Sequence, residues 1–247
     1  MTGGYDDALF ERLAEAEPHS FWYRARARLI VDVVRRFFPD ARDLLEVGSG
    51  SGGVLLALHH AFPELRLVGA EPSPEGIAVA RRRLPDEIEL VEADVLALPY
   101  EESFDVVGAF DVLEHVEDDE AALRGVARAA RRGVVILVPQ HPRLWSDMDR
   151  IAQHVRRYRR RDLASKAESV GLDVVYVGSF VSSLLPALVA SRGARRLLRR
   201  PYDPVAELHP GALNRVFERI LDGERKLIGR GFSLPFGASL LLVARKR

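Results

Sequence analysis

Residues 44–53, Leu-Leu-Glu-Val-Gly-Ser-Gly-Ser-Gly-Gly, restrict the fold of this chain more than any other stretch. Leu44, Leu45 and Val47 read as a short buried strand, and the run Val54–His60 reads as a helix. The glycines between them must turn the chain sharply from one into the other. Gly48, Gly50 and Gly52 admit positive φ and let the backbone approach a ligand with no Cβ in the way. Read as Gly48-x-Gly50-x-x-Gly53, the turn also satisfies the dinucleotide-binding pattern. Glu46 opposes that fit. A dinucleotide sets its pyrophosphate at this turn, and two like charges ~4 Å apart repel by about 1 kcal/mol in water and about 4 near a protein surface. A ligand that presents an ammonium instead turns the same carboxylate into an attraction. S-adenosylmethionine is a nucleotide ligand of that kind, with a cationic amino-acid end and no phosphate.

Later strands repeat the theme. Leu65-Arg-Leu-Val-Gly-Ala-Glu71 reads as a strand ending in an acid, nineteen positions after Gly52. An acidic residue ~20 positions on is placed to reach ribose hydroxyls; a helix-capping or solvated Glu is the alternative. Pro72 follows it. Ile88–Val95 is a third strand ending in an acid, and Asp94 is the right type to accept a hydrogen bond from an exocyclic adenine amine. Ser103-Phe-Asp-Val-Val-Gly-Ala-Phe110-Asp111 is a fourth strand, running into a helix start at Val112-Leu-Glu-His-Val116. Strands at 43–48, 65–70, 88–92, 104–109 and 133–138 alternate with helices at 53–61, 74–84 and 118–131. That alternation predicts a parallel sheet with helices on both faces, and ligands bind beyond the carboxyl ends of such strands.

Together these motifs make residues from about 40 to 140 resemble the class I S-adenosylmethionine-dependent methyltransferases, the broad group that includes the quinone-biosynthesis enzymes. The resemblance implies a Rossmann-like, doubly wound, mostly parallel seven-stranded α/β sheet. It implies a cofactor site at Glu46, Gly48, Ser49, Gly50, Gly52, Glu71, Pro72, Asp94, Val95, Phe110 and Asp111. Phe21-Trp-Tyr-Arg-Ala-Arg26 is similar to an aromatic segment that caps the cofactor pocket in a subset of these enzymes, where Arg24 or Arg26 would pair with the cofactor's carboxylate. A surface salt bridge is the alternative for either arginine.

Residues 1–40 read as an N-terminal helical cap and 41–247 as the catalytic domain. Helix Arg161–Val170, strand Leu172–Val177 and strand Ala238–Ala244 complete the domain, with about sixty residues between the last two. A hairpin needs roughly 2 to 5, so 180–235 is expected to be a helical insertion or lid. Leu213, Val216, Phe217, Ile220, Leu221, Leu227 and Ile228 give its second helix an amphipathic face. That face packs on the protein, walls an apolar acceptor, or rests on a lipid interface.

Thirty-six basic and thirty-six acidic residues balance, which disfavours a general nucleic-acid binder, although 155–161 and 192–200 are locally basic. The chain has no cysteine, no apolar run of membrane-spanning length and no secretory leader at its start, so a cytoplasmic protein is expected.

Methyl transfer from a sulfonium chiefly demands alignment, so neither a covalent nucleophile nor a metal is expected. For a hydroxyl or amine acceptor a base helps. His141, two residues past the fifth strand, and His115, in the Leu-Glu-His-Val segment, are the candidates, with His154-x-x-Arg157-Tyr158 as a substrate-facing element. No histidine has metal-ligand spacing to a second one. The leading reading is a methyltransferase for a small, apolar or lipid-like acceptor. A nicotinamide-dependent oxidoreductase and a cofactor-binding regulatory protein stand as alternatives; the Asn-Pro-Pro-Tyr type motif of base-amine methyltransferases is absent after the fourth strand.

Overall fold

A computed structural model describes residues 7–198, 202, 203, 205, 207 and 211–247. Residues 1–6, Arg199 and Arg200 of the second basic stretch, and Pro210 at the expected start of the insertion's second helix lie outside the described residues. Seven strands form one sheet: β1 Asp43–Val47, β2 Arg66–Glu71, β3 Glu89–Glu92, β4 Phe104–Phe110, β5 Ala130–Pro139, β6 Leu172–Phe180 and β7 Ser239–Lys246. Their order is β3-β2-β1-β4-β5-β7-β6, and only β7 runs against the others.

Period-2 alternation sends successive side chains to opposite faces. Leu44, Val106, Val135, Leu137, Leu241 and Val243 feed one core layer, and Leu45, Val107, Val134, Ile136, Leu240 and Leu242 the other. Both layers are covered, which is why the strands read as continuous apolar runs. The first layer lies under α2 (Phe21–Phe37), α3 (Gly53–Ala61) and α4 (Pro74–Arg81); the second lies under α5 (Asp119–Ala129) and α7 (Arg160–Ser169). Glu46 shares the parity of Leu44, so the sheet aims a carboxylate into the first apolar layer.

The chain leaves β1 in one direction to build β2 and β3, then returns to lay β4 on β1's other side. That reversal opens a crevice between the carboxyl ends of β1 and β4. Several expected boundaries move: the helix to 84 ends at Arg81, the strand to 177 runs on to Phe180, and the last strand is Ser239–Lys246. The expected helix to 131 stops at Ala129 and β5 starts at Ala130, because Arg131 is drawn to Asp43 (2.6 Å) and Asp105 (3.1 Å) at the strand edge. The helix start expected at 112–116 is a single 3-10 turn, Leu113–His115, and α5 begins only after Asp118 caps it.

The segment between β6 and β7 carries α8 (Leu185–Leu197) and α9 (Asn214–Gly229). α9 lies along α2. The Phe21 and Phe217 rings meet edge to face at 5.4 Å, Arg28 reaches Glu218 (2.8 Å) and Asp222 (3.1 Å), and Arg24 and Arg225 pair with Glu218 and Asp32. The amphipathic face divides: Phe217, Leu221 and Ile228 turn inward, whereas Leu213, Val216, Ile220 and Leu227 remain largely exposed. Among the described residues no helix is long and apolar enough to cross a membrane.

Candidate active site

Beyond the carboxyl ends of β1 and β4 lies a cavity of ≈ 270 Å³. Its floor is the glycine turn. Gly48 sits at φ 67°, its N–H donates to the Ala70 carbonyl at 2.7 Å, and a Cβ there would come within 2.5 Å of Val112. Gly50 sits at φ 52°, and its N–H donates to Glu71 Oε2 at 2.8 Å.

Glu46 reaches the cavity from below and is only 2% exposed. Burial pushes its carboxyl up to about 8, against the pull of the Arg26 guanidinium, and Glu17 and Glu71 add to the rise. Its Oε2 is buried with no hydrogen-bond partner among the described residues. Arg26 comes in from α2, stacks over Trp22 at 5.2 Å, donates to the Phe110 carbonyl at 2.9 Å and lies 2.8 Å from Asp111 Oδ2. Burial works against the Arg26 charge, but Asp111 and Glu46 together raise its pKa. Asp111 takes a left-handed φ of 58°, a costly conformation that turns it out of β4 toward the cavity.

Glu46, Gly48, Ser49, Gly50, Phe110 and Asp111 therefore gather at one cavity, under Trp22 and Tyr23. Gly52, Glu71, Pro72, Asp94 and Val95 are not among its lining residues. Glu71 accepts the N–H groups of Gly50 and Ser73 (3.1 Å) and so braces the turn. Asp94 accepts from Leu96 N–H at 2.9 Å, capping a 3-10 turn, and Val95 is buried in the second core layer. Arg24 is engaged by Glu218, which leaves Arg26 as the arginine of that segment in the cavity.

The far wall holds a second group. Glu114 is fully buried and neither carboxylate oxygen has a hydrogen-bond partner among the other described residues. Burial, reinforced by the Asp111 charge, raises its carboxyl well above the ordinary range. His115 lies beside it, its ring edge to face with that of His154 at 4.8 Å. Burial and the neighbouring His154 lower His115 to about 4, despite a hydrogen bond to the Ala152 carbonyl. His115 Nδ1 is buried and has no partner, so the other ring nitrogen makes that bond and Nδ1 is the acceptor.

His154 is oriented differently. Its Nδ1 lies 2.9 Å from Asp149 Oδ1, and its Nε2 stands 3.9 Å from Glu114 Oε1. Asp149 is buried but also accepts from Arg157 Nε (2.6 Å) and Nη2 (2.9 Å) and from Ser146, which hold its carboxyl far below the ordinary range. An ionised Asp149 can only accept, so the Nδ1 of His154 donates to it and Nε2 is turned toward Glu114. Asp149 gave no sequence signal beyond its capping-box spacing to Ser146. His141 is not among the lining residues; its ring stacks on Phe236 at 6.0 Å, and desolvation together with Arg157 lowers its pKa. Tyr158 is buried, donating to the Leu113 carbonyl and to Asp119, and serves the core.

In a doubly wound sheet ligands bind at the switch point, and here that point carries an acid and a glycine turn. Residues 45–138 match the family model described as a methyltransferase domain. It is 27% identical over 177 residues to ajmaline N-methyltransferase of Rauvolfia serpentina, covering 66% of this chain and 60% of that one. The chain spans about half the length of the curated relatives it matches. Among solved structures it resembles a complex of the Haloferax volcanii Trm112 methyltransferase activator with a methyltransferase (TM-score 0.65, 18% identity, 99% of this chain and 97% of that one). It also resembles Haemonchus contortus phosphoethanolamine N-methyltransferase 2 bound to phosphomonomethylethanolamine and S-adenosylhomocysteine (TM-score 0.58, 18% identity, 87% and 51%). At these identities the structural likeness speaks for the fold.

Proposed function

We propose that this protein transfers a methyl group from S-adenosylmethionine to a small-molecule acceptor bound in the same cavity. The observation that carries the reading is Glu46, a buried carboxylate with an unpartnered oxygen beside a glycine turn at the switch point. Burial favours the protonated form of that group in the empty protein, and ionising it costs several kcal/mol unless the ligand brings a matching cation. The cofactor's cationic amino-acid end meets that demand, with Gly48, Ser49 and Gly50 along its length, Phe110 and Asp111 beside it and Trp22 and Tyr23 above. Glu71, Pro72, Asp94 and Val95 act from outside the cavity lining, Glu71 by holding Gly50 in place. S-adenosylmethionine supplies an electrophilic methyl; the protein supplies alignment and, for an acceptor with a proton to lose, a base.

His154 is that base in our reading, in preference to His115 and His141. It lines the cavity with Nε2 toward Glu114, and the Asp149 carboxylate on Nδ1 would stabilise a positive charge formed on the ring. His115, lowered to about 4, holds a proton too weakly to compete.

Calorimetry of the purified protein with S-adenosylhomocysteine and NAD tests the cofactor. Binding of the first and none of the second supports the reading, and the reverse assigns the site to a dinucleotide. Release of labelled methyl from S-adenosylmethionine into an acceptor extract then separates an enzyme from a cofactor-binding regulator.

A further inference from the structure

We propose that the acceptor is an amine, and that Glu114, His115 and His154 form the site for its ammonium group. The proposal rests on the methyltransferase reading and names its substrate class.

Glu114 is wholly buried and no other described residue hydrogen-bonds either of its oxygens, only its own backbone N–H lying near enough to lower its pKa, and a buried carboxylate so placed calls for a counter-ion. The two arginines near it are committed elsewhere. Arg26 serves Asp111 and the Phe110 carbonyl; Arg157 serves Asp149 and the Gln140 carbonyl at 3.1 Å. Two acceptor nitrogens flank the carboxylate: His115 Nδ1, unpartnered, and His154 Nε2, left free by the Asp149 bond. A cation placed here would draw the proton from the buried Glu114 carboxyl and meet three acceptors, which suits an ammonium with several N–H groups.

One ligand atom from each of the three residues lies within 4.8 Å of the others, and Glu114 to His154 is 3.9 Å. Hydrogen bonds of ~2.9 Å in tetrahedral directions set acceptors about 4.7 Å apart, and a zinc-like ion at ~2.0–2.2 Å draws its ligands to about 3.4 Å. The measured pair lies between the two, so the choice of an ammonium rests on the three acceptors it can serve with its three donors, and zinc binding is the outcome that assigns the cluster to a metal.

The chemistry balances. One N–H bond of the bound ammonium breaks and its proton passes to His154 Nε2, leaving a neutral amine with a lone pair. That lone pair forms the N–CH₃ bond as the S–CH₃ bond breaks, the electron pair remaining on sulfur as a thioether. The product is an N-methylated ammonium, and His154 returns its proton to solvent.

The test is calorimetry with benzylamine and its neutral isostere benzyl alcohol, with and without saturating S-adenosylhomocysteine. The expected result is binding of benzylamine at least tenfold tighter than the alcohol, reduced to parity in Glu114→Gln with S-adenosylhomocysteine affinity unchanged. Benzylamine that binds no better than the alcohol, including neither binding at all, overturns the proposal, and this comparison needs no variant. Stoichiometric zinc binding that Glu114→Gln abolishes also overturns it, assigning the cluster to a metal. A failed cofactor reading shows separately, as absence of S-adenosylhomocysteine binding.

Discussion

Replacing Glu46 with Gln should make the empty protein more stable and the cofactor site weaker. The folded-state carboxyl sits at about 8 against an ordinary 4.5, a difference of 3.5 pH units, because the sheet buries it beside an apolar layer. Between those two values the folded state holds a proton that the unfolded chain has released. Unfolding stability therefore falls as pH rises across that window. At 1.36 kcal/mol per unit the penalty reaches at most ~5 kcal/mol near pH 8 and vanishes below pH 4.5. Gln has the same shape and nothing to ionise, so it removes the penalty. A realised gain of ~2 kcal/mol is about 4–8 °C in a chain of this size. Differential scanning fluorimetry at pH 8 and pH 5 measures it: Glu46→Gln should melt higher at pH 8, with the gap closing at pH 5. Cofactor affinity at pH 8 should fall by ~1.5–3 kcal/mol, the worth of a charged hydrogen bond. A variant that melts lower than the parent at pH 8, or shifts equally at both pH values, refutes the argument. It would mean that Arg26 already keeps Glu46 ionised in the empty protein.

Gly50→Val should abolish S-adenosylhomocysteine binding by calorimetry, since φ 52° costs a side-chain-bearing residue ~1–2 kcal/mol and the N–H to Glu71 would be lost with it. Asp149→Asn removes the group that sets the His154 tautomer; turnover should fall by roughly 10²–10⁴ while cofactor affinity is kept, and a loss below tenfold across the pH profile argues against His154 as base. Leu188→Ser, on the α8 wall of the cavity, should raise the acceptor KM and leave S-adenosylhomocysteine affinity within twofold; equal losses in both would place α8 over the cofactor instead.

The sheet was legible in the sequence, and so were several residues that line the candidate cavity. Strand parity and the glycine turn are local properties: Leu44-Leu45-Glu46-Val47 already states which residues face which layer, and only a turn free of Cβ atoms follows such a strand into α3. Glu46, Gly48, Gly50 and Asp111 could be found because each lies within a few residues of a strand end. What only tertiary structure decided is the rest of the site. His115 and His154 stood out in the sequence one by one, but nothing there brought them together with Glu114 and Asp149; the four meet because the segment after β5 folds back over the end of β4, pinned by Arg157 on Asp149 and by the Val155 N–H on the Glu114 carbonyl. The same holds for α9. Its apolar positions announced an amphipathic helix, but which of them would be covered depended on α2, whose arginines take Glu218 and Asp222 and so set the rotation that buries Leu221 and exposes Val216. Periodicity in a chain records that a face exists; the partner that selects the face is distant in sequence and is known only once the chain has folded.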